Sequence, residues 1–174
     1  MELELEDLFP EYDWENDQHL QDTPMRFRKM LQELTTKEEF TFTTFETTSD
    51  EMVIVQDIPF YTFCAHHILP FHGKAHVAYV PQGKLCGLSK LARSVQYFAA
   101  GLNVQEELNN SITDFLEAHL DPKGVGVVML AEHLCMTMRG VQVPGTITTT
   151  SSMRGCFLDP TKGARQEFLQ LIKS

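Results

Sequence analysis

Two segments joined by a turn constrain this chain more than any other feature. GVGVVMLAEHLCMTMRG at 124–140 leads through Pro144-Gly145 into TITTTSSMR at 146–154. A long run of β-formers, a Pro-Gly turn and a returning Thr-rich run read as two antiparallel strands, the first over 124–140 and the second over 146–154. FTFTTF at 40–45, MVIVQDI at 52–58 and KAHVAYV at 74–80 read as further strands. Helical spacing recurs in four places. TPMRFRKMLQELT at 23–35 has Thr23 as a cap, Pro24 at the first position and Phe27, Met30, Leu31 and Leu34 on one face. Residues 89–100 align Leu91, Val95 and Phe98. Residues 104–120 align Leu108, Ile112, Phe115, Leu116 and Leu120 behind a capping-box pattern, Asn103-x-x-Glu106. ARQEFLQLI at 164–172 closes the chain. These elements predict an α+β domain with a largely antiparallel sheet and its helices grouped together.

A hydrophobic share of 43% over 174 residues supports one packed domain. No apolar run reaches the roughly 18 residues of a membrane span, and the N-terminus lacks the basic start and apolar stretch of an export signal. A cytoplasmic location and no membrane partner are expected. Residues 1–22 hold nine of the 24 acidic residues and none of the 14 Lys and Arg. They read as an acidic N-terminal tail, either solvated or a contact surface for another subunit, ahead of a folded domain over 23–174. The remainder is nearly neutral with no basic stripe, which argues against nucleic acid as a partner.

Chemistry concentrates in four places. On a continuous strand, His133, Cys135, Thr137 and Arg139 would share one face, with Leu134, Met136 and Met138 on the other. Cys64-Ala65-His66-His67 offers a Cys-x-x-His pair, which can grip one ion if the chain turns there. Cys64, His67 and Cys135 together make a plausible three-ligand zinc site with a fourth position left for water, the pattern of catalytic zinc. A closed structural site with His66 or His133 as fourth ligand is the alternative. In GLSKLAR at 87–93, Ser89 sits where a cap would sit, with Lys90 and Arg93 three apart. Cations there oppose the helix dipole and make sense around a bound anion, or else belong to a solvated basic surface. Glu106 is either a helix-start acid or a carboxylate for guanine N1–H and the 2-amino group. Cys86 and Cys156 read as small buried residues, and His72, His76 and His119 as structural or surface residues.

At these residues the chain resembles GTP cyclohydrolase I. The resemblance rests on TPMRFRKM at 23–30, CAHHILPFHGKAHVAYVP at 64–81, GLSKLAR at 87–93, VQEEL at 104–108, AEHLCMTMRGV at 131–141 and TTTSSMRG at 148–155, with EFLQLI at 167–172 also similar. It implies zinc held by Cys64, His67 and Cys135, proton handling by His66 and His133, and Gln105 as a further catalytic residue. It implies Glu106 as the guanine carboxylate with Gln105 beside it in the pocket. Leu88, Ser89, Lys90, Arg93 and Arg139 correspond to substrate contacts, and Arg26 and Lys29 to peripheral phosphate contacts that could reach a neighbouring subunit's site. The implied fold is the tunnelling fold, a four-stranded antiparallel sheet with helices packed on one side. It assembles into a toroidal homodecamer with active sites between subunits. The implied reaction turns GTP and water into 7,8-dihydroneopterin triphosphate and formate. Ala65 stands where the family usually has Glu, and Glu107 where Arg is common. Two other readings are a reductase of a deazaguanine nitrile on the same fold, and a zinc-containing purine-nucleotide module without turnover.

Overall fold

A computed structural model describes residues 4–173; Glu2 of the acidic stretch lies outside them. The chain forms two compact units, one ending at Thr36 and one beginning at Lys37. In the first, helix α1 (Leu5–Leu8) is followed by turns and by helix α2 (Thr23–Thr35). The acids here organise turns. Asp13 accepts from the Asn16 backbone at 3.0 Å, and Asp17 from the His19 backbone at 2.8 Å. Thr23 is not the cap of α2 but its first residue; Asp22 takes the cap position without a side-chain bond, and Pro24 sits in the first turn as expected. No residue of α2 is buried.

The second unit is built on a sheet in the order β5-β2-β3-β6-β7. Its strands are β2 (Val53–Cys64), β3 (Pro70–Val80), β5 (Leu102–Asn103), β6 (Gly124–His133) and β7 (Ile147–Gly155). A separate two-stranded pair joins β1 (Thr44–Glu46) to β4 (Lys84–Cys86). The helices are α3 (Leu88–Ala99), α4 (Gln105–Leu120), the single turn α5 (Leu134–Thr137) and α6 (Ala164–Leu171). The four long strands are antiparallel, as expected. A fifth, two-residue strand adds to them, since β5 pairs parallel with the end of β2 at Phe63 and Cys64. The strand expected over 40–45 shrinks to Thr44–Glu46. Phe40 and Phe42 instead pack against Phe115, with ring centroids 5.9 and 5.4 Å away.

Strand alternation divides the core in two. One face carries Val77 and Tyr79 of β3 and Val125, Val127 and Met129 of β6 under α3 and α4, with Leu91, Leu108, Ile112 and Leu116. The other carries Ala78 and Val128 under α6, through Phe157 and Phe168. Helices therefore cover both faces, not one. Within α6, Ala164 and Phe168 are the buried residues that pack on this second face.

A bulge in β2 decides what the first face carries. The pairing with β3 shifts between Val55 and Ile58, and Asp57 adopts φ 54°, its amide donating to His76 Nδ1 at 3.3 Å. One extra residue reverses the alternation, so Ile58, Phe60, Thr62 and Cys64 join Val53 and Val55 on the α3/α4 face. Gly73 lets β3 and β6 approach closely: a Cβ there would lie 1.9 Å from the Leu130 carbonyl oxygen. Gly73→Ala is expected to destabilise the protein by about 1–3 kcal/mol through overpacking. Denaturant unfolding checks this, and an unchanged midpoint would contradict the packing described.

Candidate metal and proton-transfer site

The site sits at one end of the face covered by α3 and α4. β2 ends at Cys64, and the chain turns at once. The Cys64 carbonyl accepts from His67 N at 3.3 Å and Ile68 N at 2.9 Å, while Cys64 N donates to Leu69 O at 2.8 Å. Ile68 takes φ 54° to close the turn. This is the turn that a Cys-x-x-His pair requires, and it folds both histidines back on the sulfur. Cys64 Sγ lies 3.7 Å from His66 Nδ1 and 3.8 Å from His67 Nδ1.

The third donor arrives by a different route from the one the sequence suggests. β6 is not continuous to 140. It ends at His133, and Leu134–Thr137 form a helical turn. His133 and Cys135 do not share a strand face; the turn swings Cys135 towards β2. The donor atoms of Cys64, His67 and Cys135 lie within 4.8 Å of one another. Burial, and then the facing Cys64 sulfur, push the Cys135 thiol up, while Arg139 pulls it down. Two sulfurs and an imidazole that converge so closely fit a thiophilic divalent cation, which would offset the repulsion between the two thiolates.

His133 stands beside this cluster. Its ring stacks on Phe71 with centroids 4.4 Å apart and planes 6° from parallel. Its Nε2 is 2.6 Å from Gln105 Oε1. Burial holds His133 below its usual imidazole value, and the Glu106 carboxylate draws it back up. Gln105 and Glu106 open α4. Gln105 is buried and bonded to both β6 and β7, whereas Glu106 is exposed at the mouth. The capping box is absent. Val104 takes the cap position, and Asn103 turns its amide onto Thr62 Oγ1 and the carbonyls of Phe98 and Ala99.

Asn103 ties the C-terminal end of α3 to the metal-site turn, because its carbonyl also accepts from Ala65 N at 3.0 Å. Leu88, Ser89, Lys90 and Arg93 lie in the first two turns of α3, with Gly87, not Ser89, at the cap. Leu88, Ser89 and Arg93 are exposed. Ser89 is about 15 Å along the helix axis from the end that adjoins Cys64. Arg139 follows α5 and is exposed. Arg26 and Lys29, in the first unit, pair with Asp22 at 3.5 Å and Glu33 at 3.8 Å. Phe71, Thr148 and Thr150, which support His133 and Gln105, were not singled out by the sequence. Their roles depend on strand register, which a single sequence does not print.

The family model for GTP cyclohydrolase I matches residues 7–173. The chain belongs to the GTP cyclohydrolase I family. Curated relatives named GTP cyclohydrolase 1 include that of Aquifex aeolicus (strain VF5), 53% identical over 156 residues covering 88% of this chain and 84% of that protein. That of Hydrogenobaculum sp. (strain Y04AAS1) is 51% identical over 156 residues, covering 88% and 85%. Among solved structures, the archaeosine synthase QueF-Like in its apo form aligns with a TM-score of 0.50 at 16% identity, over 62% of this chain and 97% of that one. That likeness concerns the fold alone. Membership of the GTP cyclohydrolase I family covers all the residues brought together here.

Cys64→Ala and Cys135→Ala are each expected to abolish tight zinc binding, while His66→Ala and His133→Ala retain it. Metal content after dialysis decides this. Loss of zinc from His133→Ala would make His133 a ligand and the site a closed one.

Proposed function

We propose that the protein is a GTP cyclohydrolase of the first type, releasing formate and 7,8-dihydroneopterin triphosphate from GTP. The observation that carries this is the convergence of Cys64, His67 and Cys135 beside His133 and the start of α4. Zinc is the ion proposed for the three donors, and it would supply Lewis acidity and an activated water. The chain's own groups do the rest. Glu106, exposed beside His133, accepts from guanine N1–H and the 2-amino group and so orients the purine. His133 delivers a proton to N7, making C8 electrophilic; burial makes its imidazolium a stronger acid than one in water. His66, against Cys64, assists the breaking of the ring C–N bond. Two waters enter as the imidazole ring opens and formate leaves, and one is released when the ribose-derived chain closes onto the pyrimidine amines.

The triphosphate is assigned to Ser89, Lys90, Arg93 and Arg139, with Leu88 beside them; Arg26 and Lys29 are assigned to peripheral phosphate contacts in the site of a second copy. The first turns of α3 face away from the end of that helix that meets Cys64. This favours a site completed by a second copy, in line with the toroidal homodecamer of the tunnelling fold. Four free cysteines suit a reducing compartment such as the cytoplasm, and no helix among the described residues is long and apolar enough to cross a membrane.

Incubating the zinc-loaded protein with GTP is expected to give one formate per GTP consumed and a fluorescent pterin after oxidation. GTP bound but unchanged would favour the binding module; nicotinamide consumption with a nitrile substrate would favour the reductase. Glu106→Gln is expected to weaken GTP binding by about 1.5–3 kcal/mol, as for a lost charged hydrogen bond. Unchanged affinity by calorimetry would return Glu106 to its place as a helix-start acid.

A further inference from the structure

The bulge in β2 is fastened by a side chain. Its flanking pairs are Val55 opposite Val77 and Ile58 opposite Ala75, so Gln56 and Asp57 together oppose His76 of β3. Asp57 sits at φ 54°, a conformation that costs a non-glycine residue. Its amide donates to His76 Nδ1 at 3.3 Å, and its carboxylate pairs with Lys74 Nζ at 2.9 Å. An amide N–H only donates. Nδ1 therefore accepts with its lone pair, and the neutral His76 ring carries its proton on Nε2. His76 is 6% exposed. It has the strand parity of Ala78 and lies on the α6 face, whereas Cys64 belongs to the α3/α4 face.

Protonation is incompatible with this arrangement. An imidazolium carries a hydrogen on each nitrogen and has no acceptor. Nδ1–H would face the Asp57 N–H, and that amide would lose the imidazole. The opposite charge acting on His76 is the Asp57 carboxylate, which Lys74 already holds. The hydrogen bond from Lys74 keeps the Asp57 carboxyl below its usual value, so it stays ionised wherever an imidazole titrates. Burial holds His76 below its ordinary imidazole value, Asp57 draws it up and Lys74 presses it down. The charged and titratable groups around it are Asp57 of β2, His72 and Lys74 of β3 and Glu132 of β6. With His76 they line a cavity of about 460 Å³, to which β7 and the end of α6 add no charge, only Ile147 and Ile172. Since the native ring takes up its proton less readily than the unfolded one, stability is lost as the pH falls from about 6.5 towards the lower native value.

We propose that His76 is an acid-sensitive fastener of the β2 bulge: neutral, it holds the extra residue that turns Cys64 to the α3/α4 face, and protonated, it releases the bulge and loosens the metal site. Seven residues, about 23 Å of strand, separate Asp57 from Cys64, so the coupling runs along β2 and not through a contact. The paired run Ile58–Phe63 carries the displacement as one segment. The proposal rests on the reading of Cys64 as a metal ligand.

The test uses full-length protein labelled with 15N, compared with His76→Asn, whose Oδ1 takes the place of Nδ1 and accepts at every pH. At neutral pH the wild-type His76 ring, assigned by its loss in the variant, is expected to show a protonated Nε2 and a pyridine-type Nδ1. On acidification the Asp57 amide signal is expected to move with that ring in the wild type and to stay in place in His76→Asn. Below the ring's titration the wild type is expected to bind zinc about fivefold more weakly than His76→Asn, the low end of coupling between distant sites. Protonation of the ligands themselves is common to both proteins, so the difference belongs to position 76. Should His76→Asn not fold, the reciprocal effect needs no variant: zinc is expected to lower the pH at which wild-type His76 titrates. A neutral ring protonated on Nδ1, an Asp57 amide indifferent to the titration, or a His76 titration and acid zinc affinity that ignore each other overturns the fastener. Tight zinc binding by Cys64→Ala overturns the metal site itself, and the coupling with it, while the ring and amide signals stay as expected.

Discussion

The pairing of β3 with β6 is the constraint on which everything else depends. It runs in register from Phe71 opposite His133 to Val80 opposite Gly124. That register sets Phe71 under the His133 ring, and it lays the turn after Cys64 beside the turn that carries Cys135. A slip of one residue would send His133 to the opposite face, away from α4 and Gln105. Gly73 permits the approach of the two backbones, and the β2 bulge at Asp57 brings Cys64 to the same face. Three backbone features with no catalytic group among them thereby define where the chemistry sits.

The site is graded in rigidity and exposure in a way that suits its chemistry. Gln105, Asn109 and Thr113 form a buried polar line along α4, each anchored by the sheet or by the helix itself. Above that fixed base, His67, His66 and Glu106 are exposed, where a nucleotide can reach them. A rigid base with an open mouth is the arrangement that positions a substrate without closing the site to it.

Much of this was legible in the sequence, though not always for the right reason. That Cys64, His67 and Cys135 come together is legible because a Cys-x-x-His pair needs a turn to bring its donors together, and the turn exists, with Ile68 at positive φ completing it. Cys135 was paired with His133 on the assumption of one long strand. The two are neighbours in space, but a helical turn puts them there, and Leu-Cys-Met-Thr carries no breaker to announce the change. The expected capping box failed because Asn103 is recruited to tie α3 to β2, a tertiary demand that local pattern does not reveal. Phe40 and Phe42 alternate like a strand but serve an aromatic cluster with Phe115. Thr150 looked like one more residue in a Thr-rich strand until register placed it against Gln105.

Two sulfurs and one imidazole, from Cys64, Cys135 and His67, converge closely enough to hold one metal ion, proposed to be zinc with one position left open. X-ray absorption at the zinc edge, on the loaded protein without nucleotide, reads that donor set directly. The account predicts two sulfur scatterers, a single imidazole and one light, exchangeable ligand. Four protein donors, or fewer than two sulfurs, would contradict it.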